Sequence, residues 1–112
     1  MNAKEFLALG EQPRVIKEVT FPGTTSMYIR ELMADEFNRL QDAVNDGSGD
    51  TVGLHAKTAA MVLCEKDGTP IYSLASSPGI GKVPAKYLLR IFNESNKLNS
   101  FSDEDVNKAG KD

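Results

Sequence analysis

Val15-Ile16-Lys17-Glu18-Val19-Thr20-Phe21-Pro22-Gly23-Thr24-Thr25-Ser26-Met27-Tyr28-Ile29-Arg30 is the stretch on which the reading of the fold depends. Arg14 to Phe21 reads as a strand, with Val15, Val19 and Phe21 on one face, Lys17 interrupting it and Ile16 opposite. Pro22-Gly23 is turn chemistry: proline presets φ, and glycine tolerates the positive φ that a tight reversal needs. Thr24 to Leu32 is again rich in β-branched and aromatic residues and reads as a second strand. The two runs form a hairpin. A lone hairpin is marginal in water, so helices must cover it.

The helices follow. Met33 to Asn45 is amphipathic, with Met33, Phe37, Leu40, Ala43 and Val44 on one side and Asp35, Asn38, Arg39 and Asp42 on the other. Asp35 and Glu36 suit the positive end of its dipole. Asp46 to Asp50 is a loop. Thr51 to about Glu65 reads as a second helix whose Ala59–Cys64 half is apolar on every side, which places it centrally. The same six residues also fit a buried strand, because periodicity does not separate the two. Asp67-Gly68 and Pro70 end this element, and Ile71–Leu74 is a short strand or extended link. Ser76 to Lys82 is a Gly/Pro/Ser loop. Pro84 opens a third helix, with Tyr87, Leu88, Ile91, Phe92 and Leu98 in a stripe and Lys86, Arg90, Asn93, Glu94 and Lys97 toward water. Leu89 falls on the polar side. Asn2–Leu9 makes a short helix that Gly10 ends, and Ser102 caps a short acidic helix at the other end. The fold class is α+β: an N-terminal β-hairpin packed with three to four α-helices, mainly helical. Residues 1–112 form a single domain, with 1–12 and 100–112 as weakly ordered ends.

Composition removes several function classes. Lys and Arg number 13 against 16 Asp and Glu, a net charge of −3, and no basic stripe of the kind nucleic acids require is present. The single cysteine, Cys64, forms no internal disulfide, which fits a reducing compartment. Met1–Gln12 lacks the basic start and long apolar core of a secretory leader. Ala59–Cys64, the longest apolar run, is far short of the roughly 20 residues of a membrane helix. The expectation is a cytosolic protein that binds neither nucleic acid nor membrane.

No candidate for chemistry survives inspection. Ser76-Ser77-Pro78-Gly79-Ile80-Gly81-Lys82-Val83 invites a P-loop reading, but Ser76 stands where glycine is needed and Val83 where a hydroxyl must hold magnesium. His55 is the only histidine, and Ala59 occupies the position four residues on where a second metal ligand would stand. Asp35, Glu36, Asp42 and Asp46 run along a solvated helix face, with no sign of the cleft that acid–base work needs. Asp46–Asp50 lacks the alternating ligands and closing glutamate of a calcium loop. We expect a non-enzymatic protein without metal or cofactor.

The order of the pieces is more specific than any one of them. A Val-rich strand and turn precede Met27-Tyr28-Ile29-Arg30-Glu31-Leu32, which runs straight into an acidic helix. An apolar element then ends Val62-Leu63-Cys64-Glu65-Lys66-Asp67-Gly68-Thr69-Pro70-Ile71-Tyr72. Val83-Pro84-Ala85 finally opens a helix ending Lys97-Leu98-Asn99. From Val15 to Asn99 this resembles the tail assembly chaperones of long-tailed bacteriophages and prophages. The resemblance implies a protein of the host cytoplasm, absent from the mature virion, that keeps the long, helical, apolar tape-measure protein soluble and helps recruit tail-tube subunits. It also implies, in many members, a frameshifted longer form, for which Ala109-Gly110-Lys111-Asp112 is the candidate junction. A holdase must offer apolar surface. The candidate protein-binding residues are Phe6, Leu7 and Leu9, which otherwise dock on the chain's own core, and Leu89, which otherwise is an ordinary exposed apolar residue. A homo-oligomer is compatible with these features. The competing readings are a structural head–tail joining or tail-terminator subunit, and a small nucleotide-binding regulator.

Overall fold

The computed structural model describes residues 1–23, 26–46 and 53–110, the side chains of 109 and 110 excepted. Thr24 and Thr25 of the expected second strand, residues 47–50 of the expected loop, the expected helix start at Thr51 and the final Lys111-Asp112 lie outside the described residues.

The hairpin forms as the sequence requires. β1 (Ile16–Val19) pairs antiparallel with β2 (Met27–Arg30), with Lys17 opposite Ile29 and Val19 opposite Met27. Gly23 sits in the reversal at φ 72°, a conformation that glycine adopts without a Cβ clash. Val19, Phe21 and Ile29 are buried, while Val15 stays half exposed. A third strand, β3 (Leu63–Cys64), pairs with β2 to give the order β1-β2-β3.

One helix precedes the hairpin, and the helices that cover it follow. α1 (Ala3–Ala8) is followed by a 3-10 turn at Leu9–Glu11, so Gly10 lies inside the turn that ends the helix. α2 (Ala34–Asp46) carries Asp46 as its last helical residue. α3 (Leu54–Val62) is buried from Ala56 to Val62 and packs against α2, α4 (Ser77–Ile80) and α5 (Ala85–Leu98). The half of α3 from Ala59 to Val62, apolar on every side, is central here because every side meets a neighbour. The two readings of Ala59–Cys64 are each half right. The helix runs to Val62, then Leu63 switches to φ −65°, ψ 129° and the chain enters β3 with no loop between. The turn after β3 folds back on it: Gly68 (φ 92°) donates its N–H to the Glu65 carbonyl, and Ile71 donates to Leu63. A Cβ on Gly68 would stand 3.1 Å from Ile16 Cδ1, so both its φ and its close approach select glycine.

Several expectations are corrected. Phe37 does not face the core; it is a large exposed side chain, and its neighbour Glu36 is 8% exposed. α2 is rotated toward Glu36 because that carboxylate has buried partners. Glu36 Oε1 accepts from the Met33 N–H at 2.8 Å, capping the helix start, and the carboxylate pairs with Arg14 at 3.0 Å and Arg30 at 3.3 Å. Arg30, itself buried, donates from Nε to the Met61 carbonyl at 3.0 Å, near the end of α3. Thus Glu36 does not belong to a solvated carboxylate face. The expected loop at Ser76–Lys82 is instead a 3-10 turn (Leu74–Ser76) and the short α4, with Pro78 in its first turn. Pro84 is the residue before the first helical residue of α5.

The polar side of α5 also does more than face water. Lys17 on β1 donates to Glu94, which Lys97 and Arg90 also approach, and Arg90 Nε donates to the Thr20 carbonyl. The Leu32 N–H donates to Asn99 Oδ1 at 2.7 Å, while Asn99 Nδ2 donates to the Ser95 carbonyl, so the end of α5 is clamped to the β2–α2 link. Beyond it, Ser102 and Asp105 exchange hydrogen bonds, as a capping pair does, at the start of α6 (Asp103–Gly110). Among the described residues α1 and α6 bury no side chain. With these arms the Cα radius of gyration is 15.6 Å.

Burial pushes the Glu36 carboxyl up, but the Met33 N–H, Arg14 and Arg30 together outweigh it and hold it below its ordinary value. A lowered folded-state pKa means that the unfolded chain takes the proton more readily. The stabilisation is therefore complete above the unfolded value of about 4.3 and is lost as pH falls through the folded value. Glu36→Gln should cost about 3 kcal/mol at neutral pH. It should also flatten the acid-side decline in urea stability below about pH 5, which the wild type should show. A variant with an unchanged acid slope would count against this account. A second substitution has the opposite sign. Thr58 Oγ1 is buried with no hydrogen-bond partner among the described residues. Thr58→Val should therefore leave stability unchanged or raise it by about 1 kcal/mol, as read by urea or thermal unfolding.

Candidate protein-binding surface

Asn2 fixes the first candidate. Its Oδ1 accepts the Glu5 N–H at 2.8 Å, which starts α1 and sets the direction of its side chains. Phe6 and Leu7 are 63% and 76% exposed, and Leu9 is 51% exposed, so none of the three docks on the chain's own core. With Met1 and Ala3, Phe6 and Leu7 line a shallow hollow.

Leu89 is 45% exposed on α5, as its place on the polar side requires. It stands on the wall of an open groove of about 500 Å³ between the start of α3, the α4 turn and the first turns of α5. Ala56, Pro78, Val83 and Leu88 share that wall. No α1 residue lines the groove, so the structure separates the candidate residues into two surfaces.

A smaller hollow of about 230 Å³, walled by Met27, Tyr72 and Tyr87 among others, shares Val83 and Leu88 with the groove. Val83 and Tyr72 were not among the sequence candidates, although both are exposed large side chains. A signal existed for Val83. The residue before a proline is driven out of the α region, so Val83 cannot join the α5 stripe and is turned outward at its start.

The reactive-looking residues are occupied otherwise. In the P-loop look-alike, Gly81 donates to Ser77, Lys82 to Gly79 and Val83 to Ile80, so these N–H groups close a helical turn and do not converge on an anion. The His55 ring sits edge-on to Phe92 at 4.5 Å. Burial pushes the Cys64 thiol up, away from the reactive thiolate. Among the described residues no three His, Cys, Asp or Glu side chains are grouped to hold a metal, and no helix is long and apolar enough to cross a membrane.

No family model matches the sequence, and no curated protein matches it. The three-dimensional comparison is different. The chain superposes on the tail assembly chaperone of bacteriophage HK97 with a TM-score of 0.61, covering 91% of this chain and 100% of that one. The two chains share a fold. At 18% identity the likeness is one of backbone architecture. It matches the resemblance carried by the order of elements from Val15 to Asn99.

Because Phe6 and Leu9 are more than half exposed and lie outside the core, Phe6→Asp with Leu9→Asp should leave the thermal midpoint nearly unchanged, within about 0.5 kcal/mol of stability. A large loss of stability would show that these residues belong to the core.

Proposed function

We propose that this protein is a non-enzymatic phage tail assembly chaperone that keeps the tape-measure protein soluble and helps recruit tail-tube subunits during assembly. The observation that carries this reading is the superposition on the HK97 tail assembly chaperone along the whole of that chain. Separate exposed apolar surfaces support it: α1 offers Phe6, Leu7 and Leu9, and the groove offers Val83 and Leu89. A protein that holds an apolar partner needs such surfaces together with a charged exterior that keeps it soluble itself. On this reading it acts in the host cytoplasm and leaves before the virion is complete.

Co-expression with the tape-measure protein of the same phage tests the proposal. The tape-measure protein should move from the insoluble to the soluble fraction and be recovered with the chaperone. Phe6→Asp with Leu9→Asp should reduce that recovery while the chaperone stays folded. Purified virions should lack the chain. Its presence there in stoichiometric amounts would point instead to a joining or terminating subunit.

A further inference from the structure

The groove beside Leu89 has an apolar floor and a cationic rim. Ala56, Val83, Leu88 and Leu89 supply apolar wall, and Lys82 stands among them. Among the described residues the Lys82 ammonium has no carboxylate partner. Lys86 lies three residues before Leu89, lines the adjoining hollow with it, and holds its ammonium 5.6 Å from the Tyr87 ring, also without a carboxylate. Elsewhere on α5 the pattern differs, because Arg90 and Lys97 both approach Glu94. The α5 start adds partial positive charge, since no side chain caps its first N–H groups. None of the described residues lining the groove is acidic.

The geometry points to this groove as the docking site for an amphipathic helix of another protein. Its apolar side chains at i, i+3, i+4 and i+7 lie on Val83, Leu88 and Leu89, and its carboxylates meet Lys82, Lys86 and the start of α5. Resting on the assembly-chaperone reading, that helix is an acidic, apolar segment of the tape-measure protein. A volume of about 500 Å³ takes a few side chains and not a whole helix, so the occupant lies across the opening. The chain itself has segments of matching chemistry: Phe101, Asp103, Glu104, Asp105 and Val106 are exposed at one end, and Glu5, Phe6, Leu7, Leu9 and Glu11 at the other. A second copy is therefore the competing occupant.

Two measurements decide the matter. In the first, a fluorescent synthetic helix with leucines at those spacings and flanking glutamates is titrated with the full chain, alongside a counterpart whose glutamates are lysines. The glutamate peptide should bind, and the lysine peptide should bind at least tenfold more weakly at low salt. Leu89→Asp should weaken the glutamate peptide at least tenfold, and Lys82→Glu should reverse the preference between peptides. Leu89→Ala, with an unchanged thermal midpoint, guards against misfolding and should weaken binding several-fold. Equal binding of both peptides, no binding, or binding indifferent to Leu89→Asp overturns the inference. So does self-association that disappears in Leu89→Asp while peptide binding is absent, which would give the groove to a second copy. In the second measurement, tape-measure solubility on co-expression should be lost with Leu89→Asp/Lys82→Glu. If that variant solubilises as well as the wild type, the groove assignment fails and the chaperone reading stands. If the wild type itself does not solubilise, the chaperone reading fails and the peptide titration alone decides the groove.

Discussion

Glu36 takes the N–H of Met33 and the guanidinium groups of Arg14 and Arg30, while Arg30 reaches on to the carbonyl of Met61. Three segments meet at this carboxylate, the approach to β1, strand β2 and the first turn of α2, and Arg30 ties in a fourth, the last turn of α3. Each contributes a group that would be costly to bury alone. The helix start has an unsatisfied N–H, the helix end an unsatisfied carbonyl, and the side chains full charges. Brought together, they complete one another. Their arrangement also fixes the rotation of α2, since Glu36 cannot point inward without turning Phe37 out. The position of α3 against β2 follows from the same bonds, and with it the floor of the groove.

The hairpin was legible in the sequence because turn chemistry and strand composition agree at Pro22-Gly23 and its flanks. α5 was legible because its stripe from Tyr87 to Leu98 is regular. The misreadings share a cause. Periodicity assumes that apolar residues face in and charged residues face out, and it has no means of pairing charges distant in sequence. Arg14 and Glu36 are separated by 22 positions, and Lys17 and Glu94 by 77. Until the chain folds, nothing marks Glu36 as buried or Glu94 as the tie between α5 and β1. Helix and strand at Ala59–Cys64 were inseparable for a different reason: the segment is both, and the change at Leu63 is a backbone rotation with no marker residue.

Of the surface, the sequence reading found α1 and Leu89 but not the groove. A groove is a relation among elements, and Ala56, Lys82 and Leu89 come from different ones. Leu89 had shown itself only as an apolar residue out of place. The fold supplies its neighbours and so turns one misplaced leucine into a wall. The structure also shows that the two apolar surfaces lie on different elements, with α1 outside the packed frame and Leu89 on a helix clamped at both its β1 and its β2–α2 contacts. A rigid groove loses little conformational freedom on binding, whereas a projecting arm loses more.

The projecting arms bear on how the molecule would behave in a gel-filtration column. A compact domain of this length has a radius of gyration of about 13 Å, against 15.6 Å for this chain. Elution follows hydrodynamic volume, which rises steeply with radius. A single chain of this shape would emerge as though about 1.6 times its true mass, close to where a tight dimer would run. For this protein an elution position is no measure of stoichiometry, and light scattering or sedimentation equilibrium, which weigh the particle directly, are the methods that count its copies.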